Sequence, residues 1–213
     1  LCRTGHQNRC VGSGKKILGV SGADGAFAKH MVVPAKIIHK VPKNVSSESA
    51  ALAEPIACVV HAAIERVGIK SGESVVIQGP GAMGLIATEI AAIQSAGLII
   101  VTGTSVDKER LEIAKKLGAN IAVNVEEEDP VKLVNDLTSG LGVDVVIEAS
   151  GSAAARRQAF ELVRRCGRIG YIGLTGKPKE ENKLDDIVEK ELDIIGSWGT
   201  IWTSWGTTLA LMA

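Results

Sequence analysis

A glycine-rich turn near the middle of the chain is the feature most suggestive of chemistry. Gly79, Gly81 and Gly84 stand in Gly-x-Gly-x-x-Gly spacing between an apolar strand-like run at 75–78 and an apolar helix-like run. In this layout the first glycine permits a tight turn, the second lets the backbone approach a diphosphate, and the third lets helix and strand pack closely. Helix N-terminal amides and the helix dipole then face the phosphate charge. The pattern predicts a dinucleotide site at Gly79, Gly81, Ala82, Met83 and Gly84; a tight turn without a ligand is the alternative.

Apolar strand-like runs alternate with amphipathic helical stretches through most of the sequence. After the first strand we expect helices at 82–95, 108–117, 130–138 and 153–165, and strands at 98–102, 120–123, 143–149, 168–173 and 192–198. A further helix is expected at 55–67, before the first strand. Such alternation with short connections predicts an α/β fold with a doubly wound parallel sheet.

The end of the second strand of this sheet bears on the choice between NAD and NADP. Chains of this fold that bind NAD usually carry an acid about 20 residues beyond the glycine motif, where it holds the ribose hydroxyls. That position falls on Gly103, so the charge that would repel a 2′-phosphate is absent. Thr104 and Ser105 can donate hydrogen bonds to the phosphate, and Arg110 can pair with it. Asp107 can instead turn back to the ribose, and the choice stays open.

Two later strand ends are expected to complete the cofactor site, because ligands of open parallel sheets bind outside the carboxyl ends of the strands. The residues at these two ends are Ser150, Gly151, Ile172, Gly173 and Leu174. The alternative is that the glycines among them only turn the chain.

Two cysteines, Cys2 and Cys10, open the sequence with seven residues between them. Thiolate ligands usually come in sets that close a tetrahedron, so the pair suits one half of a four-cysteine zinc site. Two free thiols are the alternative, and a disulfide is less expected in a cytosolic chain.

Several segments together resemble the zinc-dependent medium-chain dehydrogenases, in the branch of sorbitol (L-iditol) and threonine dehydrogenases. These segments are the cysteine loop at 2–10, residues 24–28 with 32–34, and residues 53–57 followed by His61. The resemblance implies that 1–54 is the last part of a mainly β GroES-like catalytic domain, in which Cys2 and Cys10 belong to a structural-zinc lobe. It implies that 55–213 is a Rossmann domain that binds NAD or NADP. The Cys and the His-Glu pair that hold this family's catalytic zinc are not in the sequence, so catalysis is expected of a longer parent protein.

The same resemblance places Glu54 beside the catalytic zinc, bound directly or through water. Zinc acidifies a bound alcohol, so that a hydride can leave its carbon. Alternatively, Glu54 only favours the first turn of the helix that begins near Pro55. The implied reaction is zinc-assisted hydride transfer from a secondary alcohol of a polyol, such as sorbitol or L-iditol, to the nicotinamide cofactor. An L-threonine 3-dehydrogenase, or another sugar or amino alcohol dehydrogenase, is the alternative, and a non-catalytic dinucleotide-binding module is the alternative of another class.

Composition narrows the possible partners. The 213 residues are 46% hydrophobic and carry 24 basic and 24 acidic side chains. Balanced, scattered charge gives no electrostatic footprint for nucleic acid or an anionic membrane, and no apolar run reaches the roughly 20 residues of a membrane span. We therefore expect a cytoplasmic protein that acts on a small-molecule alcohol. The resemblance adds a homo-oligomer, a dimer or a tetramer, and the apolar run interrupted by residues 189–191 is an expected edge strand.

Overall fold

A computed structural model describes residues 5–12, 14, 16–177, 179 and 181–213. The chain groups into two compact units, Leu1–Ala57 with Gly199–Ala213, and Cys58–Trp198. The division expected from the sequence, 1–54 and 55–213, stays a prediction. In the structure the last fifteen residues group with the N-terminal part of the chain, whereas the sequence-based division places them with the Rossmann domain.

Helices and strands occur in both units and alternate through the larger one. In chain order the strands are β1 (Ile17–Leu18), β2 (Gly22–Ala23), β3 (Ser74–Gln78), β4 (Leu98–Gly103), β5 (Ile121–Asn124), β6 (Val143–Glu148), β7 (Val163–Tyr171) and β8 (Asp193–Gly196). The α-helices are α1 (Ser47–Ala50), α2 (Ala53–Val59), α3 (Ala82–Ile93), α4 (Lys108–Lys116), α5 (Pro130–Thr138), α6 (Ala153–Leu162), α7 (Asp185–Glu189) and α8 (Trp202–Met212). A π-helical stretch, Val60–Arg66, continues α2, and a 3-10 turn, Ser105–Asp107, precedes α4.

Strands β3 to β8 form one sheet in the order β5-β4-β3-β6-β7-β8, and every neighbouring pair is parallel. The chain starts in the middle at β3, winds outward to β5, and then returns through β6 to the other edge. This is a doubly wound sheet whose direction reverses between β3 and β6, and it confirms the predicted fold class. No helix in the described part of the chain is long and apolar enough to cross a membrane.

The inner strands are continuous apolar runs because helices cover both faces of the sheet. Val75, Val76 and Ile77 of β3 are fully buried, as are their neighbours in β4 and β6. Local signals start the surrounding helices. In α5, for example, the Asp129 carboxylate caps the Val131 amide at 2.9 Å, and Pro130 occupies the first helical position.

Three element boundaries differ from the expectations. The helix expected at 153–165 ends at Leu162, because Val163 is already extended and pairs with Val143 of β6. Strand β7 therefore begins five residues earlier than expected, and Cys166, with φ +53, lies within it beside a register shift. The helix expected at 55–67 becomes α2 and the π-helical stretch. Of the apolar run expected as an edge strand, the part after residues 189–191 is β8, at the end of the sheet, whereas Asp185–Glu189 before it forms α7.

The smaller unit contains the parallel pair β1-β2, short helices and α8. The His39 ring lies between two rings of α8, with centroids 4.2 Å from Trp202 and 5.4 Å from Trp205. Several large apolar side chains of this unit are exposed, among them Phe27 and Val32.

Candidate functional site

The glycine turn between β3 and α3 places its three glycines in different surroundings. Gly79 has φ +93, and a Cβ there would lie 2.6 Å from the Ser150 Cβ. A Cβ at Gly84 would overlap the Gly79 carbonyl oxygen, so helix and turn touch through their backbones. A Cβ at Gly81 would have no atom within 4 Å. The first and third glycines are required by packing, whereas the second borders open space.

The N-terminus of α3 faces that open space without a capping side chain. Gly81 is the N-cap residue, and no side chain accepts a hydrogen bond from the first turn. Ala82 is exposed and Met83 half-buried. A twelve-residue helix presents a partial positive charge there, and orphan amides satisfy phosphate oxygens well. This cradle fits a dinucleotide diphosphate.

At the end of β4, the ring of Pro80 lies against Gly103. A Cβ at Gly103 would lie 2.9 Å from Pro80 Cγ and 3.2 Å from the Asp107 Cβ. Pro80 is itself part of the glycine turn, so that turn occupies the space a side chain at 103 would need. The absence of an acid at Gly103 is therefore explained by packing.

Asp107 takes up the two hydrogen-bond donors of Thr104. Its Oδ2 accepts from the Thr104 amide at 3.2 Å and from the Thr104 hydroxyl at 3.0 Å, and Arg110 Nη1 lies 3.0 Å from Oδ1. Partial burial raises the pKa of the Asp107 carboxyl, but the Thr104 and Arg110 hydrogen bonds outweigh it and leave the pKa below its ordinary value. Asp107 is thus a fixed carboxylate at this strand end.

Glu126, after β5, takes up the next donor along the turn. Its Oε2 accepts from the Ser105 amide at 2.9 Å, and hydrogen bonding by Ser105 lowers the pKa of the Glu126 carboxyl. Asn124 Nδ2 donates to the Ser105 hydroxyl oxygen at 3.0 Å, and the Val125 amide donates to the Gly103 carbonyl at 2.9 Å. The turns after β4 and β5 are therefore joined.

Glu148 organises the turn after β6. Its side chain is fully buried at the carboxyl end of that strand. Glu148 Oε1 accepts from the Ser150 amide at 2.8 Å, the Ser150 hydroxyl at 2.6 Å and the Gly151 amide at 2.7 Å. Oε2 lies 3.4 Å from Arg156 Nε. A buried carboxylate with this many donors fixes the backbone of the turn, because each donor would otherwise be costly to leave unpaired.

The same glutamate also holds the residues that follow β7. The amides of Ile172 and Gly173 both donate to the Glu148 carbonyl, at 2.9 and 3.0 Å. Arg156 Nη2 donates to the Gly173 carbonyl at 2.6 Å. A Cβ at Gly173 would lie 2.9 Å from Glu148 Oε2, so glycine is required for this approach, and the next residue, Leu174, is exposed. Glu148 and Arg156 link the turns after β6 and β7.

The candidate metal ligands do not form a cluster among the described residues. Glu54 is exposed in the first turn of α2, and Cys10 is half-buried with a free thiol. Cys2 lies outside the described residues. Within 5–12, 14, 16–177, 179 and 181–213, no three His, Cys, Asp or Glu side chains are close enough to hold a metal ion. The described residues thus offer single candidate ligands and no zinc site.

The predicted cofactor residues come together at one edge of the sheet. They follow the carboxyl ends of β3, β4, β6 and β7, which are neighbours in the sheet order. Glu54 and Cys10 belong to the other unit. Sequence reasoning missed Glu148, Arg156 and Glu126. An acid at the end of the otherwise apolar run 145–148 was the available signal for the first, and the other two carried none.

Comparisons with known proteins agree with this geometry. A family model described as zinc-binding dehydrogenase matches residues 82–213. Sorbitol dehydrogenase of Halalkalibacterium halodurans is 37% identical over 99% of this chain and 60% of its own length. L-threonine 3-dehydrogenase of Pyrococcus horikoshii is 40% identical over 99% of this chain and 59% of its own length. The chain thus spans about 60% of the length of these curated relatives.

Solved structures show the same likeness. A zinc-binding dehydrogenase from Sinorhizobium meliloti, bound to NADP, is 28% identical with a TM-score of 0.87, over 100% of this chain and 61% of the other. An alcohol dehydrogenase from Escherichia coli CFT073, complexed with NADH, is 26% identical with a TM-score of 0.86, over 99% of this chain and 60% of the other. Both nicotinamide cofactors therefore occur among similar folds.

Proposed function

Because the chain belongs to the zinc-binding dehydrogenase family, we propose that it binds a nicotinamide dinucleotide across the carboxyl ends of β3, β4, β6 and β7. In the whole protein this site would serve hydride transfer between an alcohol carbon and the cofactor. The family assignment confirms the resemblance seen in the sequence. The single observation that carries the proposal is the uncapped N-terminus of α3 beside the open space at Gly81.

The chain's own residues bind and orient the cofactor. The amides at the start of α3 hold the diphosphate by hydrogen bonds and by the helix dipole. Glu148 fixes the turns at Ser150–Gly151 and at Ile172–Leu174, which would line the path from the diphosphate towards the nicotinamide. When bound, the nicotinamide ring supplies the hydride chemistry, and the protein supplies position and electrostatics.

For the substrate, we propose a secondary alcohol of a polyol such as sorbitol or L-iditol. Sorbitol dehydrogenases and a D-arabitol-phosphate dehydrogenase among the relatives support this class. L-threonine is the second candidate, because threonine dehydrogenases reach 40% identity. If the substrate is a polyol, steady-state assays of the whole protein should give a kcat/KM for sorbitol at least about tenfold above that for L-threonine. The reverse order would replace the first candidate by the second.

We also propose the zinc sites, the oligomeric state and the cellular location of the whole protein. Glu54 remains the predicted neighbour of a catalytic zinc, and Cys2 with Cys10 the predicted structural ligands. The described residues alone do not complete either site, so no step is assigned to the metal. A cytoplasmic homo-oligomer, paired through an edge such as β8, is proposed from the family resemblance and from the end position of β8 in the sheet.

Two glycine variants test the dinucleotide site. Gly81 has φ −70 and ψ −175 and open space around it, so Gly81→Val should fold normally while its side chain fills the phosphate space. NADH titration followed by fluorescence should show binding weakened by at least about tenfold, with an unchanged circular dichroism spectrum. Gly206→Ala, at a glycine of α8 whose Cβ would also meet no atom within 4 Å, is the control. Unchanged NADH binding by folded Gly81→Val would reject this site.

A further inference from the structure

We propose that Asp107 and Glu126 form a carboxylate pair that selects NAD(H) over NADP(H) at the end of β4. This inference rests on the proposed dinucleotide site, and it names residues that take the place of the single acid expected at 103. The pair comes from two different turns, because Asp107 precedes α4 and Glu126 follows β5.

Packing of Pro80 gives a structural reason for the missing acid at 103. Because Gly103 itself carries no charge, the choice of cofactor depends on the charges of the neighbouring turns. In the structure, a Cβ at Gly103 would lie 2.9 Å from Pro80 Cγ, so Pro80 would have to shift to admit a side chain there. An acid that recognises the ribose must therefore come from elsewhere along the same strand end. The register pairs Gly103 with Asn124, so both the turn after β4 and the turn after β5 reach this point.

The donors that a 2′-phosphate would need are already engaged by the two carboxylates. Asp107 accepts from the amide and the hydroxyl of Thr104, and it also pairs with Arg110 at 3.0 Å. Glu126 accepts from the amide of Ser105 at 2.9 Å. A phosphate has acceptor oxygens only, so it would have to displace both carboxylates to reach these groups.

The charges around Asp107 and Glu126 also favour NAD(H) over NADP(H). The Asp107 side chain is 14% exposed and held by three hydrogen bonds, whereas that of Arg110 is 59% exposed. Arg110 is thus paired with a carboxylate that stays in place. Glu127 and Glu128 are exposed directly after Glu126 and add negative charge, opposed by the exposed Lys108. A ribose 2′-hydroxyl can donate to such carboxylates, whereas a phosphate is repelled by them.

The test compares the two reduced cofactors on the 213-residue chain at matched ionic strength. Dissociation constants for NADH and NADPH are measured by fluorescence titration, and those for ADP-ribose and its 2′-phosphate by calorimetry, so that the nicotinamide is not needed. The wild type should bind each non-phosphorylated ligand at least about tenfold more tightly. Glu126→Gln should reduce this preference about threefold, and Asp107→Asn with Glu126→Gln should bring it within about threefold of unity. The control, Glu161→Gln, changes a surface carboxylate of α6 that pairs with Lys183 and should leave the preference unchanged.

The outcomes separate this inference from the proposed function. Equal or tighter binding of the phosphorylated ligands by the wild type would overturn the selectivity while the dinucleotide site stands. A preference for NADH that survives the double substitution would also overturn it, since other residues would then be responsible. If a folded chain binds none of the four ligands, the proposed function itself fails.

Discussion

Replacement of Glu148 by glutamine probes the element that joins the turns after β6 and β7. The fully buried carboxylate accepts three short hydrogen bonds through one oxygen, from two amides and a hydroxyl. Glutamine keeps an acceptor of the same shape but loses the charge. A hydrogen bond to a charged group contributes about 1 kcal/mol more than a neutral one, so the loss should be about 3 kcal/mol. Glu148→Ala, which leaves the three donors without this acceptor, should cost more.

Urea unfolding followed by circular dichroism measures this loss directly. Glu161→Gln is the matched control, because it makes the same chemical change at a surface ion pair, 3.1 Å from Lys183, and should stay within about 1 kcal/mol of the wild type. Combining Glu148→Gln with Arg156→Met should give less than the sum of the two single effects, because the two side chains lie 3.4 Å apart and Arg156 in turn holds the Gly173 carbonyl. A Glu148→Gln variant within about 1 kcal/mol of the wild type would refute the assigned role.

Two further predictions concern other parts of the sheet. Burial raises the pKa of the Asp144 carboxyl, but hydrogen bonds from Ser74 and Arg164 outweigh it and lower the pKa to about 2 from an ordinary 3.8. The ionised Asp144 therefore stabilises the fold by about 2 kcal/mol above pH 4, and this stabilisation is lost as the pH falls towards 2. In acid titrations, the stability of Asp144→Asn should depend less on pH than that of the wild type. Identical pH profiles of the two proteins would contradict this role. Gly103→Ala should lower the melting temperature, because its new Cβ would meet the Pro80 ring. Pro80→Ala should restore part of that loss. An equal loss of stability from Gly103→Ala with and without Pro80 would contradict the contact.

The strands of the sheet could be predicted from the sequence because each strand has a local pattern. Buried parallel strands give continuous apolar runs, and α5 begins with an Asp-Pro pair that caps it. The end of α6 could not be predicted in this way. Residues 163–165 continue a helical pattern in the sequence, yet Val163 is held in β7 by its pairing with Val143, a partner twenty residues away.

The candidate site also has features that could be predicted from the sequence and features that could not. The glycine turn follows from spacing alone, since Gly79, Gly81 and Gly84 are close in sequence. The reason for Gly103 lies in a contact with Pro80, and the engagement of Ser105 depends on Glu126, twenty-one residues further along the chain. Such contacts exist only once β3, β4 and β5 are aligned. The absence of an acid at 103 could therefore be read from the sequence, whereas its cause, the contact with Pro80, could not.

The most direct test of the account is a nuclear magnetic resonance titration of the isotopically labelled 22.2 kDa chain with NADH. If the dinucleotide binds at the carboxyl edge of the sheet, the amide signals of residues 81–84 and of Ser150 and Gly151 should shift saturably. In Gly81→Val the same shifts should require at least about tenfold more NADH. Shifts confined to other parts of the fold, or a folded chain whose spectrum does not change with NADH, would contradict the central claim.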